Sequence, residues 1–233
     1  MPAMPITIDE EHDALIVVDV QHDFVDGSVA IDGASAIIPV INQIVPLFRH
    51  SIFTRDWHPA GHVSFASSHG GARPGDVMAA AYGSQQLFAD HAVQGTLGAQ
   101  LHSALQVPRD AWVVDKGTRL DVDSFSVFVE NDRMTGTGLA KRLKAARITR
   151  IFLAGLALYG CVRHSALDAV AADLAVVIVD DACRARPSTQ NPVHARELAH
   201  AGVTRIHSTL LRSAAHSSAN SPTAANPHGP IPH

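Results

Sequence analysis

"RIFLAGLALYGCVRHSALDAVAADLAVVIVDDA", residues 150–182, decides the fold. It opens on one apolar run, RIFLAGLA (150–157), and closes on another, AVVIVDDA (175–182). Neither alternates between apolar and polar as a strand with one wet face would. Both are nearly continuous, as in strands covered on both faces of a parallel sheet. Between them, residues 160–173 carry helical spacing. Strand, helix and parallel strand in this order make a right-handed crossover.

The rhythm repeats outward. ALIVVDV (14–20), SIFTRD (51–56), AWVVDKG (111–117) and TRIHST (204–209) read as further buried strands, with helical spacing over 36–49, 137–147 and 190–201. Six strands with helices between them predict a three-layer α/β/α sandwich around a mostly parallel, doubly wound sheet. Residues 1–12 read as an N-terminal extension and 13–211 as one domain. Within it, 57–108 form a long connection rich in Gly, Pro, His and Ser, a length that in a compact domain marks function. Residues 212–233, which include His216, His228 and His233, read as a disordered polar tail.

With 233 residues, 46% of them hydrophobic, the chain can build one sizeable core. Its net charge of −4 and lack of a basic stripe argue against a nucleic-acid partner. Two cysteines make no disulfide framework and fit a reducing compartment. The start, MPAMPITIDEEHDALIVVDV, lacks the basic beginning and cleavage site of a signal peptide, and no apolar run is long enough to cross a bilayer. A cytoplasmic protein with no membrane partner is expected.

Ligands in open α/β sheets bind beyond the carboxyl ends of the strands. Those ends offer Asp19, then Asp56 and His58, then Lys116, and after the fourth strand Cys161 at the start of a helix. A thiol there faces unpaired N–H groups and the positive end of a dipole, which favour its thiolate. Lys116 would add a second positive influence, and Asp19 is placed to move a proton. Each has a plainer reading. Cys161 could be a small buried hydrophobe, Lys116 a strand-end lysine paired with Asp115, and Asp19 a turn cap. Cys183, in DDACRARP, reads as structural. Asp56-x-His58 is half of a site for zinc, iron or manganese. A third ligand would come from His91 or His62, with His69 and His102 less well placed.

Taken in order, IVVDVQHDF, TRDWHPAGHVSF, DHAVQGTLGAQLH, DKGT, DSFSVF and AGLALYGCVRHSALDA resemble the successive motifs of the nicotinamidase/pyrazinamidase family, within the isochorismatase-like cysteine hydrolases. The resemblance spans about residues 13 to 210. It implies a catalytic triad of Asp19, Lys116 and Cys161, and metal ligands Asp56, His58 and His91. His62 falls where some members carry an additional ligand and is taken as a group beside these three. The resemblance also implies a cis Leu156–Ala157 peptide, an oxyanion hole from the amides of Ala157 and Cys161, and ring contacts from Phe24 and Phe88. The reaction implied converts nicotinamide to nicotinate and ammonia, and pyrazinamide likewise, in NAD salvage. One divalent ion is implied, zinc first and iron or manganese next. The partner is a small molecule, and a homo-oligomer is compatible with it.

Two stretches depart from the family pattern. Phe88-Ala89 precede His91 and Ala92 follows it, where Trp-Pro and Cys are usual. Leu158-Tyr159-Gly160 precede Cys161, where Thr-Asp-Tyr is usual. Both bear on pocket shape. The competing functions are another amide or ureide hydrolase of the superfamily, and an α/β module that binds a ligand or metal without turnover.

Overall fold

Apolar runs that a parallel sheet would bury do form one. The computed structural model of the chain describes residues 4–213. Along it lie β1 (Ile6–Thr7), β2 (Asp13–Val18), α1 (His22–Val25), α2 (Ile37–Ile44), β3 (His50–Asp56), β4 (Val77–Ala80) and β5 (Gly83–Gln86). Then follow β6 (Trp112–Lys116), α3 (Leu139–Ala145), β7 (Arg150–Leu156), α4 (Arg163–Ala171), β8 (Ala175–Arg184), α5 (Asn191–His200), β9 (Thr204–Ile206) and β10 (Leu211–Arg212). None of these helices is long and apolar enough to cross a membrane.

The central sheet has six strands in the order β6-β3-β2-β7-β8-β9, every pair parallel. Successive side chains of a strand point to opposite faces. Leu15 and Val17 of β2, with Phe152 and Ala154 of β7, join a core that includes α2. Their alternates Ala14, Ile16, Val18, Ile151 and Leu153 join a second core with α3, α4 and Leu198 of α5. The sheet is thus buried on both faces, which is why its strands read as unbroken apolar runs. The doubly wound sandwich is as expected.

Strand order reverses direction between β2 and β7, the point at which doubly wound sheets hold ligands. Close approach of these two strands needs Gly155. Its φ is +115°, and a Cβ there would lie 2.1 Å from the Val18 carbonyl oxygen.

Three elements lie outside the expected rhythm. The N-terminal extension contributes β1, which pairs in parallel with β10. The long connection carries the antiparallel hairpin β4–β5. Helix α4 begins at Arg163, preceded by a π turn over Leu158–Val162 in which Gly160 leaves helical geometry. Of the expected disordered polar tail, Arg212 instead belongs to β10, and residues 214–233 lie outside the described residues.

Candidate active site

Four strand ends converge on one cluster. Lys116, the last residue of β6, is 1% exposed. Its Nζ donates to Asp56 Oδ1 and to the Ser124 carbonyl (2.8 Å), lies 2.9 Å from Asp19 Oδ2, and reaches Cys161 Sγ at 3.5 Å. One ammonium therefore serves two carboxylates and a sulfur. Asp115 pairs with Arg55 (2.7 and 3.0 Å), and Asp19 faces the cluster instead of capping a turn. Cys161, 9% exposed, faces Lys116. Cys183 is buried, its thiol pushed up to about 12 by burial, with Sγ against the Leu153 carbonyl.

The two carboxylates are held differently. Asp19 has φ +50°, a left-handed conformation strained for a non-glycine residue. Thr54 donates to its Oδ1 (2.6 Å). The buried Oδ2 has no well-directed hydrogen bond among the described residues. Asp56 is fixed through its backbone: Gln21 accepts from its N–H (2.8 Å) and donates to its carbonyl (2.7 Å). Thr54 and Gln21 escaped the sequence reading, although polar residues within or just beyond an apolar run signal a buried network.

Burial and neighbours divide the protons. Burial raises Asp19 to about 6, with Lys116 opposing and Asp56 adding to the rise. Asp56 would also rise on burial, but Lys116, then His58 and His91, bring it below the usual range. Burial works against the charge on Lys116, yet Asp19 and Asp56 outweigh it and hold the ammonium well above its ordinary value. Cys161 goes the opposite way from the thiolate expected at a helix start. Burial, helped by Asp19 and Asp56, drives it well above its ordinary value despite Lys116. The helix proper begins only at Arg163, two residues beyond Cys161.

Beside this cluster stand Asp56, His58 and His91, whose ligand atoms all lie within 4.8 Å of one another. The backbone pins both rings. His58 N–H donates to the Ala92 carbonyl (2.9 Å), and Ala92 N–H to Asp23 Oδ2 (2.8 Å). Each ring donates from Nδ1 to a carbonyl, His58 to Gly117 and His91 to Ala89 (both 2.8 Å). Each Nε2 is left as a lone-pair donor, and Nε2 of His58 lies 3.7 Å from Asp56 Oδ2. Burial lowers both histidines, which keeps them neutral. An oxygen and two oriented neutral imidazoles fit a divalent cation. Gly117 is required here: its φ is +61°, and a Cβ would lie 2.5 Å from the His58 ring.

The other histidines fall elsewhere. His62 stacks on His58 with ring centroids 4.1 Å apart. Its Nδ1 accepts from Ser64 N–H (3.3 Å), so Nε2 carries the proton toward the Val122 carbonyl (3.2 Å). It buttresses the His58 ring. His69 bonds to the Val63 carbonyl, and His102 lies with His22 and Asp26.

Asp19, Asp56, His91 and Cys161 open into a cavity of about 480 Å³. Phe24 and Phe88 line it, each meeting the His91 ring edge-on at 5.5 and 5.6 Å. Ala157 lines it too, and the Leu156–Ala157 peptide is cis. Polar groups converging in a pocket at a switch point, with one carboxyl poised near neutrality, define a site for acid–base and nucleophilic chemistry.

The isochorismatase-domain family model matches residues 13–209. The chain belongs to the isochorismatase-like family of hydrolases. Within that family its similarity is to nicotinamidases. It is 44% identical over 197 residues to the nicotinamidase of Acinetobacter baylyi, covering 84% of this chain and 92% of that one. An Acinetobacter baumanii nicotinamidase/pyrazinamidase superposes with a TM-score of 0.83 at 38% identity, over 85% of this chain and 97% of that one. A pyrazinamidase of Pyrococcus horikoshii, solved in complex with zinc, gives 0.70 at 30% identity, over 84% and 99%.

Proposed function

We propose that the chain is a metal-dependent nicotinamidase, hydrolysing nicotinamide to nicotinate and ammonia and pyrazinamide to pyrazinoate. The observation that carries the reading is the Lys116 ammonium shared by Asp19, Asp56 and Cys161 beside the Asp56/His58/His91 set. The nicotinamidase and pyrazinamidase relatives support the substrate class.

The residues then have distinct tasks. Phe24 and Phe88 flank the pyridine ring. Asp19, raised to about 6 and so ionised at neutral pH, takes the Cys161 proton. The thiolate attacks the carboxamide carbon, and the amides of Ala157 and Cys161 stabilise the oxyanion. Lys116 offsets the negative charge that collects on the sulfur. Asp19 returns the proton to departing ammonia, then activates water, which cleaves the Cys161 thioester. Asp56, His58 and His91 would hold a divalent ion, which when bound would supply a Lewis-acidic point for the pyridine nitrogen. Zinc leads, as in the Pyrococcus horikoshii pyrazinamidase, ahead of iron and manganese. The setting is NAD salvage in the cytoplasm.

The test is ammonia release from nicotinamide by the native chain and by Cys161→Ala, with metal analysis of both. The native chain should turn over, and chelation should raise KM. Cys161→Ala should keep its metal and lose turnover by ~10⁴-fold or more. Equal, negligible rates in both would leave only a binding module.

A further inference from the structure

The cavity is larger than a pyridine carboxamide needs, and strand order shows where the excess lies. The metal-type donor Asp56 ends β3 and His58 follows it, Asp19 follows β2, Cys161 follows β7, and Arg186 follows β8. These four strands are consecutive in the sheet. Three strand spacings of about 4.8 Å place Arg186 ~14 Å along the sheet edge from Asp56, with the nucleophile between. The Arg186 end therefore lies on the far side of Cys161 from the Asp56/His91 set, where a substituent carried on the amide nitrogen of a longer substrate would extend.

That end is open and polar. A Cβ built on Gly160 meets only the Ala157 Cβ, at 3.6 Å. Tyr159 lines this end and is held by Arg205, which donates to its hydroxyl (3.2 Å). His194 lines the cavity with a buried Nδ1 that has no hydrogen-bond partner, an arrangement that leaves desolvation uncompensated unless something binds. Arg186, exposed at the mouth, also lines the cavity. Its Nη1 and Nη2 donate to the carbonyls of Ala30 and Val29, and no carboxylate among the described residues pairs with it. A guanidinium has five N–H donors, so three remain for a ligand. Nearby Arg163, in contrast, is neutralised by Glu197 (2.5 Å).

We propose that this half of the cavity is a subsite for the amine portion of the substrate, walled by Tyr159, Gly160, Arg186 and His194, and suited to an amine that carries a carboxylate. The enzyme then hydrolyses N-nicotinoyl amino acids as well as the primary amide. This rests on the reaction proposed above. The Cys161 thiolate adds to the carbonyl carbon, the C–N bond breaks, and Asp19 gives its proton to the departing amino group. Water cleaves the thioester, so amide and water yield nicotinate and a free amino acid.

The experiment compares nicotinamide, N-nicotinoylglycine and its uncharged glycinamide with the native chain and with Arg186→Met. Thermal unfolding verifies that the variant is folded. The native chain should cleave N-nicotinoylglycine with a kcat/KM roughly tenfold above that for the glycinamide, one charge-assisted contact. Arg186→Met should bring that ratio near one. In a Cys161→Ala background, N-nicotinoylglycine should bind about tenfold more tightly than the glycinamide, and Arg186→Met should abolish the difference. Hydrolysis of nicotinamide alone, with no preference for the carboxylate in rate or binding, overturns the subsite and leaves the nicotinamidase reading standing. Failure on nicotinamide with the binding preference intact overturns that reading and retains the subsite.

Discussion

The two ends of β2 each bury an aspartate beside a cation, with opposite outcomes. At the start, Asp13 is gripped by Arg150, Nε to Oδ1 at 2.8 Å and Nη2 to Oδ2 at 2.5 Å, while Asp9 N–H supplies a third bond at 2.8 Å. Both carboxylate oxygens are engaged and the geometry is forked, so the group is locked. Just past the other end, Asp19 shares one point-charge ammonium with Asp56 and the Cys161 sulfur, and its Oδ2 lacks a directed bond. Satisfied charge builds structure. Charge left short of partners keeps a proton transferable.

The largest break in that contrast should come from Lys116→Met. It strands two buried carboxylates, and removing one partner of a buried pair costs ~3–5 kcal/mol. A lowered Tm and abolished ammonia release are expected, whereas unchanged stability would mean that the carboxylates find other partners. Asp19→Asn should leave a folded chain whose turnover falls by ~10³-fold, since amide cannot take the thiol proton. Native kcat/KM should likewise decline as pH drops through about 6. Below that value Asp19 is protonated and cannot act as base. A flat profile from pH 5 to 7 would assign the base elsewhere.

Smaller changes sharpen the comparison. Gly117→Ala pushes a methyl into the His58 ring and should weaken metal binding ~10–100-fold by titration, the usual loss when a ligand's support is disturbed. Arg150→Met should cost only ~1–3 kcal/mol in denaturant unfolding, because the arginine is partly solvated, and should leave kcat unchanged. A loss of activity there would show that the two ends of β2 are coupled.

The sheet was legible because its two-sided burial wrote itself into continuous apolar runs. The strand-end rule then placed Asp19, Asp56, Lys116 and Cys161 on one edge without any resemblance. Much of what remained hidden is backbone. The carbonyls of Gly117, Ala89 and Ser124 orient His58, His91 and Lys116, and a carbonyl belongs to every residue type. β1 and β10 are two residues each and pair across the whole domain, so no local pattern announces them. In β5, Gly83–Gln86, the sequence GSQQ has no apolar alternation to follow. Cys161 stands beside Lys116 as the strand-end rule places it, but burial raises its thiol where the helix-start argument expected a thiolate. A helix-start argument cannot see how deeply the fold encloses the sulfur.

That enclosure has a bearing on how the sulfur meets other reagents. Peroxides and electrophiles attack the anionic form of a cysteine and find it only when it is exposed. A sulfur 9% exposed at the cavity wall, whose thiol is held above its ordinary value by burial, offers little anion to such reagents. The enclosure that the proposed chemistry would have to overcome also shields Cys161 from most other reagents.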